Sequence, residues 1–311
     1  MESVWNSHDT VGEALNGMRM SAVVYCRSDV TAPWGVSLPP MQDCLLFHFM
    51  SAGECVLEHD TAGTRTLTAG EFVLVPHGAR HRILSAPGAD APDLFSLPRE
   101  MHGERFEVLR FGGGGAPATL ICGAIRFSGF AARRLVAMLP ALVSMPAGSR
   151  AQALLQWIGT ESLHPQAGGE AVIARLADVL VIEAIRHWIA QSPAECGWLG
   201  ALKDPQIGRA LALVHGNAQR SWTLEELAGT VAMSRSAFSA RFTELVGEPA
   251  MQYVRNWKMH VAADCLREEN LALIEVAERV GYQSEAAFCR AFKGSMGVAP
   301  GAMRTRGLRA H

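Results

Sequence analysis

A phenylalanine pair that occurs twice, with the same spacing and the same glycine after it, constrains this chain more than any other feature. Phe238-Ser-Ala-Arg-Phe242 precedes Gly247, and fifty residues later Phe288-Cys-Arg-Ala-Phe292 precedes Gly297. Phenylalanines at i and i+4 share one helical face, and Leu245 and Met296 extend those faces. Each copy follows a short Ala-rich stretch of helical pattern, Leu224–Val231 or Ile274–Val280. A break separates the two parts, at Met233-Ser234 in the first copy and at Gly281-Tyr282-Gln283-Ser284 in the second. One short helix cannot bury such a face alone, so each copy needs its preceding helix. The pattern predicts two helix-turn-helix units, the architecture that offers a helix to the DNA major groove.

Local signals sharpen the boundaries. Ile207–His215 reads as a first helix. Thr223 and Glu226 have the spacing of a capping box, and Ser234 can cap the helix that carries Phe238 and Phe242. Pro249 opens a long helix to about Arg267, and its roughly nineteen residues span about 28 Å at 1.5 Å each. That length approaches the ~34 Å between successive major-groove faces, as a spacer between two recognition helices requires. Pro300 is expected to close the second unit.

The first part of the chain has a different pattern. Short apolar runs separated by Gly, Pro and Asp turns predict strands at Ser21–Arg27, Cys44–Met50, Cys55–His59, Thr64–Leu67, Glu71–Val75, Arg82–Ser85, Phe106–Phe111 and Thr119–Cys122, the spacing of a sandwich or barrel. Within it, Gly70-Glu-Phe-Val-Leu-Val-Pro76-His-Gly78-Ala-Arg-His81 fits G-x5-P-x-G-x2-H. This segment resembles the second signature of the cupin barrel, and the resemblance extends over residues 20–125. The first cupin signature is half present, with His48 and Glu54 in place but Met50 where a second histidine would stand. The resemblance makes His48, Glu54 and His81 the candidates for a metal ion or small-molecule effector, since a cupin metal needs about three or four N/O ligands. The rival reading is that these groups line a polar pocket or tie strands together. His59 and His77 are expected in solvated turns, and Gly112–Gly115 reads as a flexible turn because no Gly-Lys-Ser/Thr follows it.

From Phe130 the period becomes helical through Leu135, Met138, Leu139, Leu142 and Val143, up to Pro146. Ala151–Thr160 makes a short helix and Glu170–Gln191 a long one with a broad apolar stripe. That stripe packs either inside the monomer or against a second subunit, and the expected assembly is a homodimer through Leu176 and Leu180. No apolar run approaches the ~18 residues of a spanning helix, and Met1–Asp9 lacks signal-peptide features, so no membrane partner and a cytoplasmic location are expected. Seven cysteines without a C-x-x-C pair argue against a disulfide framework or zinc finger. Thiol redox sensing would require an exposed thiolate. From Pro205 onward thirteen basic residues face ten acidic ones, net +3, while the preceding residues carry fifteen against twenty, net −5. A positive C-terminal part is the sign expected of a partner for phosphates.

Residues 207–306 resemble the DNA-binding domain of the AraC/XylS family of transcription regulators. The match rests on Leu224-Glu-Glu-Leu-Ala228, Met233-Ser-Arg-Ser-Ala-Phe-Ser-Ala-Arg-Phe242, Val276-Ala277, Val280-Gly281-Tyr282, Ser284-Glu-Ala-Ala-Phe-Cys-Arg-Ala-Phe292 and Gly297-Val-Ala-Pro300. The resemblance implies base contacts from Ser236, Ser239 and Ala240 in the first unit and from Glu285, Ala286, Cys289 and Arg290 in the second. Arg235, Arg241 and Lys293 would meet phosphates. The fold expected is α+β: a cupin-like sensor domain over residues 1–127, connecting and dimerising helices over 128–204, and an all-α double helix-turn-helix domain over 205–306. The function expected is a non-enzymatic regulator of transcription, bound to promoter DNA, with RNA polymerase as a further partner. The alternatives are a cupin enzyme with an accessory DNA-binding tail and an architectural protein with an inert barrel.

Overall fold

The computed structural model describes residues 19–128, 130–148, 151–163, 166–191, 200–201, 204–268 and 271–307. The described residues divide into two compact units: those within 19–127 and 136–191, and those within 128–135 and 200–307.

The first unit is built from two sheets. Its strands are β1 (Arg19–Thr31), β2 (Gly35–Leu38), β3 (Cys44–Ala52), β4 (Glu54–His59), β5 (Gly63–Thr68), β6 (Phe72–Val75), β7 (His81–Leu84), β8 (Arg99–Met101), β9 (Phe106–Gly112), β10 (Pro117–Ser128) and β11 (Val143–Met145). Seven pair in the order β11-β6-β3-β10-β1-β9-β8 and four in the order β2-β7-β4-β5. β3 is buried from Cys44 to Met50 because it runs between β10 and β6, antiparallel to both. The core lies between the sheets: Val30, Met50, Val73 and Leu120 from the larger one pack with Val36, Leu57, Leu67 and Ile83 from the smaller. Met50, at the position of the missing cupin histidine, is therefore a fully buried core residue. Gly78 has φ +55, and a Cβ there would collide with the carbonyl of Met41, so the turn between β6 and β7 needs a glycine.

The helical period read through Val143 ends earlier. Helix α1 covers Phe130–Met138, and Val143–Met145 instead form β11 on the edge next to β6. Pro140 is the reason, because a proline disfavours helical conformation in the residue before it. Helices α2 (Gln152–Leu163) and α3 (Gly169–Gln191) pack on each other, and α3 also packs on β1 and β11. Leu176 and Leu180 are buried within this unit. The broad stripe of α3 is thus used inside the monomer, and those two leucines are not a free dimer surface.

The second unit contains α4 (Pro205–Gly216), α5 (Leu224–Thr230), α6 (Arg235–Val246), α7 (Ala250–Glu268), α8 (Leu273–Arg279), α9 (Glu285–Met296) and α10 (Pro300–Gly307). The Asp204 carboxylate caps α4 by accepting from the N–H groups of Gln206 and Ile207. Thr223 and Glu226 form the full capping box of α5. At α8 only half of it exists, the Ala272 N–H donating to Glu275 at 2.6 Å. Ser234 and Ser284 cap α6 and α9, and Gly247 and Gly297 end them in left-handed conformation, the role that favours glycine there. Phe238 and Phe242 pack inward, tilted against each other, and Phe242 meets Tyr253 on the first half of α7 edge to face. Phe288 and Phe292 pack with Met259, Ala262 and Leu266 on its second half. Burying each ring contributes about 1.5–3 kcal/mol. Pro300 does not close the second unit but opens α10, where its missing N–H is harmless, and Met303 of that helix joins the same core.

Candidate DNA interface and sensor cavity

The caps and inward phenylalanines leave the other faces of α6 and α9 in solvent. On α6, Arg235, Ser236, Ala240 and Arg241 are exposed and Ser239 half-buried. On α9, Glu285, Ala286, Arg290 and Lys293 are exposed and Cys289 half-buried. Arg235, Ser236, Ser239 and Ala240 line one shallow depression with Leu224, Thr243 and Glu244. Arg235, Ser236, Ser239 and Ala240 on α6 thus correspond in position to Glu285, Ala286, Cys289 and Arg290 on α9, and Lys293 extends the second face, whereas Arg241 is exposed but lies outside the depression on α6.

The cations differ in what holds them. Arg241 donates to Asp204 through Nε and Nη2 at 3.2 Å and to Glu244 at 3.1 Å, so it ties α6 to the start of α4. These carboxylates raise its pKa through hydrogen bonds. Among the described residues, Arg235 pairs only with the exposed carboxylate of Glu225, at 2.7 Å. Arg290 and Lys293 have no ion pair among the described residues. An exposed, unpaired guanidinium is the group best placed to fork onto a guanine edge.

His48 and His81 also meet, from opposite sheets. Register places His48 on β3 directly across from Cys122 on β10, and His81 opens β7 across from His59 on β4. His81 Nδ1 donates to the Ala79 carbonyl at 2.7 Å, so its Nε2 accepts. His48 Nε2 then donates to it at 2.7 Å, and His48 Nδ1 accepts from the Cys122 thiol at 3.0 Å. Burial holds both imidazoles neutral: His48 falls well below its ordinary pKa, with His81 adding to the effect, and His81 falls to about 4.

This arrangement does not fit a cupin metal. Both nitrogens of His48 are engaged by protein partners, Glu54 is exposed at the start of β4, and no group of three ligating side chains surrounds a common point among the described residues. The two histidines tie the sheets together instead. His59, expected in a solvated turn, is buried, and its Nδ1 accepts from the Thr61 and Ala62 N–H groups. His77 does sit exposed in its turn, bonded to the Leu139 carbonyl at 2.9 Å. The thiols of Cys26 and Cys55 are pushed up to about 12 by burial, and burial also raises Cys122, so these cysteines present no thiolate.

Beside the histidines lies a cavity of about 210 Å³ between the sheets. Val24, Val36, Leu46, Ile83, Leu120 and Ala124 contribute to its wall. Each of its polar side chains has a protein partner: His48 as above, Cys26 Sγ with Ser28 Oγ at 3.5 Å, and Arg99 with the buried Glu107 at 3.4 Å. Burial raises the Glu107 pKa, with Arg99 opposing. Phe95, 54% exposed, lines the cavity from a short 3-10 turn, and the Arg99 guanidinium lies 5.5 Å from its ring centroid. The polar pocket expected from His48, Glu54 and His81 is therefore a mainly apolar one. Sequence reading missed it because Trp34 and β2 belong to a run too short to stand out, and because a cavity depends on which strands face each other.

A two-sheet cupin-like domain followed in the chain by two helix-turn-helix units on one spacer helix is the build of a DNA-binding regulator. Residues 9–190, more than half of the chain, match the family model described as "Cupin". Residues 227–306 match the model described as "Helix-turn-helix domain". The chain belongs to the AraC-type transcription regulators with an N-terminal cupin domain. It is 36% identical over 197 residues to a putative AraC-like transcription regulator of Streptomyces lividans, covering 62% of this chain. The chain spans 65% of that relative's length. It is 28% identical over 300 residues to the HTH-type transcriptional regulator AlkR of Acinetobacter baylyi, covering 92% of this chain and 95% of that one. Among solved structures, the C-terminal domain of AraT from Geobacillus stearothermophilus is 31% identical, with a TM-score of 0.32, over 33% of this chain and 86% of that one. These relatives are named as regulators, not as enzymes. Among the described residues, no helix is long and apolar enough to cross a membrane.

Proposed function

We propose that this protein binds promoter DNA through both helix-turn-helix units and that a small molecule held in the cupin cavity alters that binding. The observation that carries the reading is the pair of equivalent recognition faces on α6 and α9, each backed by its own phenylalanine core on the shared helix α7. Ser236, Ser239 and Ala240 contact bases from α6, and Glu285, Ala286, Cys289 and Arg290 from α9. Arg235 and Lys293 meet phosphates. The ligand acts by binding one arrangement of the protein better than another.

The working form is a cytoplasmic homodimer that changes the access or activity of RNA polymerase at its promoter. Trp157 and Leu163 on α2 and Val179 on α3, exposed by 56%, 49% and 43%, support a contact surface on these two helices. Replacing Trp157 and Val179 by Glu is expected to give a folded monomer by light scattering.

Selection of bound duplexes from a random-sequence pool tests the DNA reading. The expected result is one enriched motif with two parts about one helical turn apart, bound much more tightly than random duplex. Recovery of unenriched sequence would overturn it.

A further inference from the structure

We propose that the molecule taken up by the cupin cavity is neutral and apolar, a compact hydrocarbon-like compound with about the bulk of a substituted benzene ring. This deepens the reading that the cupin domain receives a small-molecule signal, and it rests on that reading.

Size comes first. A cavity of about 210 Å³ is larger than the ~150 Å³ engineered, apolar-lined cavity that stays dry and takes benzene. Chemistry of the wall comes second. Both nitrogens of His48 are engaged, one by His81 and the other by Cys122, and Ser28 faces the sulfur of Cys26. A sugar would bring several hydroxyls to a wall that is mostly apolar and whose few polar side chains already have protein partners, losing most of its hydration without return.

Charge comes third. A ligand carboxylate would have to share Arg99 with Glu107, which is buried and has Arg99 as its 3.4 Å counter-ion. Two carboxylates would then face each other across one guanidinium, with the Glu107 one buried. A cation gains little, because Arg99 already compensates Glu107. The remaining class is neutral and apolar. Phe95, half-exposed beneath the Arg99 guanidinium, stands at the cavity mouth and offers an apolar surface to an entering ring.

The test uses the full-length protein and three probes: p-xylene, octanoate and glucose. Calorimetry and thermal melting report binding. The expected result is saturable binding and a raised Tm with p-xylene, and neither with octanoate or glucose. Two variants narrow the cavity from opposite sheets, Ala124→Leu on β10 and Val36→Phe on β2. Whichever of them melts cooperatively should bind p-xylene at least roughly tenfold more weakly. Binding of octanoate or glucose in place of p-xylene overturns the proposal. So does an absence of p-xylene binding, or binding that both variants leave intact. The affinity for the selected DNA duplex is read in the same samples. If p-xylene binds in the cavity but leaves DNA affinity unchanged, the ligand class stands and ligand control of DNA binding falls. If no duplex is bound at all, the DNA reading falls independently of the cavity result.

Discussion

His48 Nε2 lies 2.7 Å from His81 Nε2, a buried polar contact that bridges the seven-stranded sheet and the four-stranded one. The acceptor of His81 Nδ1 is a carbonyl, which sets every proton in the chain from Cys122 through His48 to His81. His81→Leu leaves the buried His48 N–H without an acceptor and is expected to destabilise the protein by about 1–3 kcal/mol. The His48→Leu/His81→Leu double variant should cost less than the sum of the single ones, since it removes both partners. Urea unfolding of the four proteins measures this. Because the pair binds itself and not an ion, dialysis against a chelator should leave Tm unchanged. A fall in Tm that added metal restores would contradict this geometry.

Arg290 and Arg241 should behave oppositely. Arg290 is exposed on α9 and unpaired among the described residues, so Arg290→Ala is expected to cost about 1–3 kcal/mol in binding and to relax preference at one base. Arg241 is held by Asp204 and Glu244, so Arg241→Ala should weaken DNA binding less and change little else, as exposed ion pairs contribute little to stability. Binding titrations against single-base variants of the selected site separate the two. Uniform weakening on all sequences by Arg290→Ala would remove its role in base reading.

Ala232 and Gly281 occupy equivalent places in the two turns, with φ of 54° and 78°. The left-handed conformation costs a residue with a Cβ roughly 1–2 kcal/mol, part of which glycine returns as lost chain entropy. Ala232→Gly is therefore expected to stabilise the helical unit by about 1 kcal/mol or less. Gly281→Ala should destabilise it more, because its Cβ would also meet the Gln219 carbonyl. Thermal melts of the two variants compare them.

His215 carries a pH dependence. Its Nε2 lies 2.8 Å from the Tyr253 hydroxyl, and burial, with Arg134 adding, lowers its pKa from 6.5 to about 4. Between these values the unfolded chain binds a proton that the folded protein does not, so stability falls as pH drops from 6.5 toward 4. The slope from this group is at most about 1.4 kcal/mol per pH unit. His215→Gln should flatten the profile in that window relative to wild type and leave it unchanged above pH 7, as read from denaturant midpoints. An unchanged slope would mean that His215 titrates normally in the folded protein.

The helix-turn-helix half was legible because its signals are local. A phenylalanine pair at i and i+4, a capping serine before it and a glycine after it operate within one or two turns of chain, and the structure uses Ser234, Gly247, Ser284 and Gly297 in those roles. The same reading failed at Val143, where a helical period of apolar residues outweighed Pro140, and at Pro300, where a proline that opens a helix resembles one that ends it.

By itself, the sequence determined the tandem repeat, the length of the spacer helix, most strands and the turn at Gly78, all set by side-chain period, capping and backbone preference over a few residues. Only the tertiary structure decided the rest. Whether Leu176 and Leu180 face their own unit, and whether His48 meets Glu54 or His81, depends on strand order and register, which local periodicity does not specify. Cys122 stands opposite His48 because β10 pairs with β3 in one particular register, and the apolar cavity exists because β2 and β7 face β1, β3 and β10 across the core. Those pairings join segments far apart in the chain, and the free energy that selects them comes from burying both sheet faces at once.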